Sequence, residues 1–523
     1  MKIRNYKPVY HLCIVGAGPS GCYLAKSLLN QSRKERFTIK IDLLDSLDRP
    51  FGLLRYGIAP DRNELKRSIY NIENSLFKKY PEKVKFYGNI TLGYDIKIEE
   101  LKRKYDVVVL AIGGSQSFHT LPVKYMSSHL LNTVIGGVFP SRDWVFYYNN
   151  HPLFKNILNS PKKEDSISHK TPINNMGIEL KYTKKNQFFE HKSPISCYED
   201  STPYDAGNEE FKYGYTSDIL KTQITNSSER NAVIIGNGNV SLDITRMLSF
   251  YSYNQLSKNK YLNSNFLNLI YTSSKDLNQK IEQPLFKNIY IIGRRGWVQN
   301  SFKYPLLKEF IDKSRKSKRN SENGTSVRVI MPREDFELSQ DQFELDESEA
   351  NSKVRFLKMK SIFQEMVDNH EEYMNNLHPG DKTINIHFRN LLTPINIKTE
   401  QVNIQEHHGS NESIPFIKGI EFARSNYSYT HSKNITLNEK ERYYFPCQLL
   451  ITSLGFQPKY NYIFGGIDQF SVENNSNACP VYKTGWMNTN SKGDLNYVIQ
   501  NSHILSHEIL DFLRKATPKN VCT

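Results

Sequence analysis

Apolar residues in this chain cluster in short continuous runs that stop at glycine, and the residues after two of the runs fall into helical spacing. The first run (Leu12, Cys13, Ile14, Val15) breaks into Gly16-Ala-Gly18-Pro-Ser-Gly21, followed by a helical pattern. A second run (Ile39, Ile41, Leu43, Leu44) ends at Asp45. This order predicts strand, glycine loop, helix, strand and acidic tip. Pro60-Asp61-Arg-Asn-Glu64 predicts a helix start capped by Asp61, with Glu64 completing a capping box and the helix reaching about Tyr80. Val84–Leu92 alternates like a strand, and Ile98–Lys104 has the spacing of a short amphipathic helix. Asp106–Ile112 is a buried parallel strand by its continuous apolar run, closed by Gly113-Gly114, where a ligand-contacting turn and a plain tight turn fit equally. Ser141–Asn150 reads as an aromatic helix, its aromatics explained most simply as core.

The pattern then recurs. Asn231 opens a second strand–glycine loop–helix, NAVIIGNGNVSLDITRML, with Ser241 where the first loop has its third glycine, so this helix should stand slightly further off its strand. Asn288–Gly293 is its second strand, ending in Arg294-Arg295. Gln448–Gly455 matches Asp106–Gly113 in type, and a polar, helical segment runs from about Val498 to Leu513. Between these units the signal fades. Leu153–Arg230, Tyr253–Asn278 and Ser314–Ser326 are rich in Lys, Asn and Ser without period, and read as low-complexity insertions.

Each glycine loop has a chemical reading. The first glycine allows the tight turn, the second admits a pyrophosphate to the backbone, and the third lets helix pack on strand. The free N–H groups and dipole at the helix N-terminus attract the anion. In the first unit these roles fall to Gly16, Gly18 and Gly21. Asp45, about 24 residues beyond the last glycine, stands where a carboxylate accepts from ribose hydroxyls. In the second unit the loop is Gly236, Asn237, Gly238, Asn239 and Val240, and the strand tip carries guanidiniums instead of a carboxylate. Arginines suit a ribose 2′-phosphate; an exposed basic turn is the plainer alternative. The two tips therefore predict two different nucleotides, the second NADP-like.

At 523 residues the chain is too long for one core, so two or more domains are expected. Only 38% of residues are hydrophobic and the mean hydropathy is −0.57, which agrees with solvated insertions. The net charge of +15, with a pI near 9.2, favours an acidic partner, nucleic acid or an anionic surface, though Lys-rich insertions account for it as simply. No aromatic-interleaved basic repeat points to nucleic acid. The six cysteines are scattered without a CxxC, which excludes a zinc ribbon and a thioredoxin-type redox pair and suits a reducing compartment. Cys13 and Cys22 read as buried small hydrophobes. No run of apolar residues is long enough for a membrane span. The stretch before the first strand, MKIRNYKP, is basic but too short for an ordinary presequence.

Glu309 reads as a solvated helix-face residue. Lys353, Arg355, Lys358 and Lys360 gather positive charge on one short helical segment, either a docking surface for an acidic protein or an ordinary solvated face. Trp486, beside Gly485, suits a flavin neighbour or a core position equally.

The strings PFGLLRYGIAPD, FYGNITLG, the Val233–Asp243 spacing, IIGRRG, LLITSLGF and GWMNTNSKG occur in this order. In them the sequence resembles the adrenodoxin reductase family, the mitochondrial ferredoxin–NADP reductases, over nearly the whole chain apart from the insertions. The resemblance implies an α/β fold of two Rossmann-like dinucleotide-binding domains, the NADP domain inserted into the FAD domain. The segments would be 1–115 (FAD, first part), 116–445 (NADP, with a polar insertion at about 153–230) and 446–523 (FAD, second part). It implies FAD contacts at Ser20, Asp45, Leu53, Leu92, Trp486, Gly493, Asp494 and Leu495, beside the glycines of the first loop. NADP contacts would be Asn237, Gly238, Asn239, Val240, Arg294, Arg295 and Gly493. The chain departs from the family at Leu306, where a glutamate is usual, and at Asp494-Leu495, and it stops soon after Leu513, short of the family's usual C-terminal extension. The implied activity is transfer of electrons from NADPH through FAD to an acidic [2Fe–2S] ferredoxin in the mitochondrial matrix, supporting iron–sulfur cluster assembly or related redox pathways. No catalytic side chain and no metal would be needed, because hydride passes between cofactors. Rival readings are another NADPH-dependent flavin enzyme, such as a glutamate-synthase-like electron-transfer subunit or a monooxygenase, and a non-enzymatic basic scaffold with vestigial nucleotide folds.

Overall fold

The computed structural model describes residues 7–114, 116–117, 135–152, 154–158, 216–276, 279–319, 326–341, 350–376, 383–405, 411–427, 435–457, 479–489 and 495–519. The first unit opens with β1 (Val9–Val15), α1 (Pro19–Gln31) and β2 (Thr38–Leu44). A π-helical turn at Leu53–Gly57 precedes α2 (Asn63–Glu73), a second such turn follows it at Asn74–Lys78, and then come β3 (Val84–Tyr87), α3 (Ile98–Lys104) and β4 (Val107–Leu110). β1 pairs in parallel with both β2 and β4. Because helices cover both sides of this sheet, β1 is apolar on both faces. Leu12 and Ile14 enter one core, while Cys13 and Val15 enter a smaller one on the other side. Cys13 and Cys22 are fully buried, as expected. β3 stops well before the expected Leu92, at Gly88 and at Asn89, whose φ of 58° leaves the extended region.

The second unit begins after β5 (Gln116–Ser117), with β6 (Val138–Pro140), α4 (Ser141–Tyr148), α5 (Ser217–Asn226), β7 (Asn231–Ile235) and α6 (Asn239–Ser249). The aromatics of α4 are core, as expected: Trp144 packs on Phe139 and Phe266. All three segments read as low-complexity contain regular structure where they are described. α5 buries Leu220 and Ile224 within the span read as a polar insertion, most of which lies outside the described residues. The Tyr253–Asn278 stretch contains α7 (Tyr253–Ser257), α8 (Ser264–Ile270) and β8 (Tyr271–Asp276), which pairs with β9 (Gln279–Pro284). A Ser252–Gln255 capping box starts α7, and Phe266, Leu269 and Ile270 of α8 enter the core.

β10 (Asn288–Ile292) pairs with β7. α9 (Tyr304–Arg319) runs through the first part of the third low-complexity segment, with Ser314 donating to the Val327 carbonyl at 2.9 Å. Then follow β11 (Val327–Ile330), α10 (Arg333–Asp341), α11 (Ala350–Asn375) and β12 (Ile384–Arg389). An antiparallel meander of β13 (Leu392–Gln405), β14 (Asn411–Tyr427) and β15 (Ile435–Pro446) leads to β16 (Leu449–Thr452). The parallel sheet order is β11-β12-β10-β7-β16-β6. β16 thus completes the second sheet, a correction to the expectation that residues from 446 onward rejoin the first unit. The crossing back comes later, after β17 (Phe456–Gln457), which pairs with β5. β18 (Val481–Lys483) then joins the first sheet, whose order is β18-β4-β1-β2-β3. The closing helix α12 (Leu495–Lys515) packs on α1, burying Ile509, Leu510 and Leu513 in the first core.

An ion-pair cluster joins the units. Asp61 does not cap α2: the helix starts at Asn63, with Arg62 at its N-cap and no side-chain cap. Its carboxylate instead takes a bidentate pair of bonds from the buried Arg246 guanidinium of α6, together with the Tyr251 hydroxyl at 2.6 Å. Arg246 also pairs with Asp243 at 2.8 Å, and Arg62 bridges Asp243 to Glu309. Glu309, read as a solvated face residue, instead closes this cluster through Arg62. Burial works against ionisation of Asp61, yet the bonds from Arg246 and Tyr251 hold its pKa below the ordinary carboxylate range. Its contribution is present above the unfolded pKa of about 3.9 and is lost as pH falls through the folded value. Arg246→Met leaves Asp61 and Asp243 buried without their guanidinium and should cost about 3–5 kcal/mol in denaturant unfolding. The stability advantage of the wild type over Asp61→Asn should persist at pH 7 and fade on acidification below about pH 4.

Candidate functional site

Both glycine loops lie at carboxyl ends of parallel strands, where strand order reverses: between β1 and β4 in one sheet, and between β7 and β16 in the other. These are the crevices in which open α/β sheets bind ligands. In the first, Gly16 has φ +109°, and a Cβ there would lie 2.3 Å from the Ala111 carbonyl oxygen. A Cβ on Gly21 would lie 1.9 Å from the Gly16 oxygen. Gly18 differs, since a Cβ there would meet nothing within 4 Å. The second loop repeats this: Gly236 has φ +129° and is blocked by the Ser453 carbonyl at 2.1 Å, while Gly238 faces open space. Ser241, in place of the third glycine, donates its hydroxyl to the Gly236 carbonyl at 2.5 Å and so fills the tight approach with a hydrogen bond.

The helices behind these loops are electrostatically distinctive. α5, α7 and α8 are capped by Thr216, Ser252 and Asn263. α2, α3 and α4 carry Glu64, Glu99 and Asp143 in their first turns. α1 and α6 have neither a side-chain cap nor an acid there, so the positive ends of both dipoles are left for an anion.

Asp45 sits under the first loop. It accepts from the Ala17 N–H at 2.7 Å and the Leu47 N–H at 2.9 Å, which fixes the loop and leaves each oxygen a further lone-pair direction. Desolvation pushes its pKa up to about 6, against the pull of the Leu47, Ala17 and Ser46 N–H groups. Ser20 is buried at the start of α1. The Trp486 turn lies against it: Gly485 has φ +67°, and a Cβ there would lie 1.9 Å from the Ser20 hydroxyl. The Trp486 ring stacks on Phe456 at 6.0 Å. Leu53 is 37% exposed on the π-turn, whereas the Leu92 side chain is buried with Val15, Leu44 and Ile96, which leaves its backbone as the part able to meet a ligand. Leu495 begins α12, and Gly493 and Asp494 lie outside the described residues.

In the second crevice, the amides of Asn237 and Asn390 meet at 2.9 Å, and Asn239 accepts from the Lys303 N–H at 2.9 Å. Val240 packs against the second core, as does Leu306 on α9. Thr452, buried at the end of β16, has a hydroxyl without a hydrogen-bond partner among the described residues. Arg294 and Arg295 are exposed at the tip of β10, and neither makes an ion pair among the described residues. Among the described residues no three His, Cys, Asp or Glu side chains converge as metal ligands, and no helix is long and apolar enough to cross a membrane. The cluster around Arg246 and the Phe456–Trp486 stack were not anticipated. The acid–arginine spacing of Asp243 and Arg246 on one helix face was visible, but their partners Asp61 and Arg62 are remote in sequence.

Fold and crevices define an α/β protein built from two Rossmann-type dinucleotide-binding units. The solved structure of FprA from Mycobacterium tuberculosis in complex with NADPH has the same fold: its TM-score is 0.61 at 20% identity, over 97% of this chain and 85% of that one. In sequence the chain is similar to the adrenodoxin reductases. It is 36% identical over 156 residues to the mitochondrial NADPH:adrenodoxin oxidoreductase of Arabidopsis thaliana, 30% of this chain and 29% of that protein. It is 27% identical over 307 residues to the probable mitochondrial NADPH:adrenodoxin oxidoreductase of Dictyostelium discoideum, 58% of this chain and 42% of that one. Less than half of either relative's length is matched. No family model matches the chain.

The loop geometry predicts a contrast in stability. Gly21→Ala should destabilise the first unit by about 1–3 kcal/mol or more, because helix and loop must separate. Gly18→Ala and Gly238→Ala should unfold close to the wild-type midpoint. A Gly18→Ala protein as unstable as Gly21→Ala would contradict the assignment of open space at Gly18.

Proposed function

We propose that the protein is an NADPH-dependent flavoprotein reductase that delivers electrons to an acidic [2Fe–2S] ferredoxin, with FAD in the first crevice and NADPH in the second. The observation that carries this reading is the pairing of two uncapped glycine-loop helices with strand tips of opposite charge, Asp45 and Arg294-Arg295. Similarity to proteins named NADPH:adrenodoxin oxidoreductase supports it. The residues present fit both nucleotides, because Gly18 and Gly238 open onto space at helix N-termini where a pyrophosphate would approach.

In the first unit the loop N–H groups and Ser20 would hold the pyrophosphate of FAD. Asp45 would turn its free lone pairs to the ribose, and Leu53, Leu92 (by its backbone), Trp486, Gly493, Asp494 and Leu495 would line the rest. In the second, Asn237, Gly238, Asn239 and Val240 would hold the NADPH pyrophosphate, and Arg294 and Arg295 the 2′-phosphate by charge-assisted bonds. Bound FAD supplies the chemistry, accepting two electrons as hydride and releasing them singly. The chain's part is to orient two nucleotides and exclude water, which requires no side-chain nucleophile. Docking of the ferredoxin is assigned to α11. There Arg355 donates to the Asn300 carbonyl at 3.3 Å and Lys358 lies 5.6 Å from the centre of the Tyr304 ring. Lys353 and Lys360 extend this basic segment in sequence, and Lys308 and Lys358 line, with Ile311 and Leu357, a groove of about 350 Å³. The mitochondrial names of the relatives support a mitochondrial location; residence in the matrix and a role in iron–sulfur cluster assembly or a related redox pathway are part of the proposal.

The purified protein should show a flavin absorbance band; a colourless protein that takes up no FAD would overturn the reading. Replacing Arg294 and Arg295 by Ala should lower kcat/KM for NADPH by about 10- to 100-fold while changing that for NADH little. Equal losses for both nucleotides would refute the 2′-phosphate assignment.

A further inference from the structure

The π-helical turn at Leu53–Gly57 follows Phe51, whose N–H donates to the Ala17 carbonyl of the first glycine loop at 2.8 Å, which sets the turn as a wall beside that loop, with Leu53 at its start. Three successive carbonyls of this turn are claimed by side chains from elsewhere. The Lys66 ammonium, on α2, donates to the Arg55 oxygen at 2.7 Å and the Leu54 oxygen at 3.4 Å. The Asn149 amide donates to the Tyr56 oxygen at 3.0 Å. The two side chains are also bound to each other, Lys66 donating to the Asn149 Oδ1 at 3.1 Å.

Asn149 belongs to the second unit. It closes α4, donates back to the Val145 carbonyl at 3.1 Å, and is 3% exposed. Tyr261, also of the second unit, lies with its ring centre 4.9 Å from the Lys66 ammonium. Lys66 itself is 1% exposed and makes no ion pair among the described residues. A buried ammonium held by carbonyls and a ring is costly, and burial together with the neighbouring Arg55 lowers its pKa to about 7, with Asp61 pulling the other way. An apolar residue would fill the same space without that cost, so the cation's place here is explained by the carbonyls it gathers.

We propose that Lys66 and Asn149 form a clamp through which the second unit sets the position of the wall of the first crevice. Its bearing on the flavin rests on the function proposed above, whereas the clamp itself does not. Lys66 and Asn149 are positioning residues: they act through the turn, on whatever Leu53 and its neighbours contact. Movement of α4 relative to the first sheet would be transmitted to this wall by one amide and one ammonium.

Amide hydrogen exchange on the full-length protein tests this, comparing the wild type with Lys66→Met, Asn149→Asp and the surface control Lys78→Met. Exchange across residues 53–58 should speed up about 10-fold or more in Lys66→Met, with no comparable change in β7 or β10 and none in the control. Asn149→Asp keeps an acceptor for Lys66 but loses the donor to Tyr56, so its loosening should centre on residues 56–58. That variant carries the test should Lys66→Met fail to fold. In protein that holds flavin, both variants should also shift the visible circular dichroism of the flavin. Unchanged exchange at 53–58 in the folded variants would overturn the clamp. A protein without flavin whose variants still loosen this turn would remove the functional reading and leave the clamp standing.

Discussion

The relative placement of the two nucleotide units depends on a guanidinium that water scarcely reaches. Arg246 leaves the second glycine-loop helix and binds Asp61 in the first unit with two hydrogen bonds, while Asp243 of the same helix faces it as an ion pair at 2.8 Å. Burying such charges is expensive, and the cost is offset only when geometry is good and the remaining lone pairs are occupied. At Asp61 both conditions are met, since it also receives the Tyr251 hydroxyl, which in turn accepts from Lys313 at 2.6 Å. Reaction between two bound nucleotides demands that the reacting atoms lie within about 3.5 Å in a defined orientation. A loose hinge would not provide this; a bidentate buried pair at the junction restricts how the two units sit against each other. The pair springs from α6, so the element that would receive the NADPH pyrophosphate at one end fixes the domain junction along its length.

The two crevices share a backbone design and differ in charge. In each, the first glycine is boxed in by a neighbouring strand and the second faces open space. Both helix starts lack a side-chain cap and a first-turn acid. What separates them is the strand tip: a carboxylate folded under its own loop in one, two exposed guanidiniums in the other. On the proposed function, discrimination between nucleotides with and without a 2′-phosphate would follow from that difference.

The framework of the fold was legible in the sequence because parallel strands buried on both faces leave continuous apolar runs, and glycine loops leave fixed spacings. β4, β7, β10 and β16 fall within the runs predicted for them, and β1 and β2 contain theirs and begin earlier. Errors arose where a local signal competes with a distant partner. Asp61 looks like a helix cap from its neighbours, but its partner lies 185 residues away. α5 and α8 were hidden by Lys, Asn and Ser on their exposed faces. Their few apolar residues, such as Leu220 with Ile224 and Phe266 with Ile270, are nonetheless four apart, as one helix face requires. The sheet to which β16 belongs could not be read from its composition, since a buried parallel strand has the same pattern in either sheet. Of the candidate site, the glycines and arginines were legible through their spacing. The clamp at Lys66 was not, because nothing in a sequence marks a lysine as buried.

The central claim is that electrons enter as hydride from NADPH and leave singly to an iron–sulfur protein. Steady-state cytochrome c reduction by the purified protein and NADPH, with and without an added acidic [2Fe–2S] ferredoxin, tests it most directly. Reduction that is slow alone and rises with ferredoxin concentration to saturation is the predicted result. Rapid NADPH oxidation that is indifferent to the ferredoxin, or none under either condition, would contradict it.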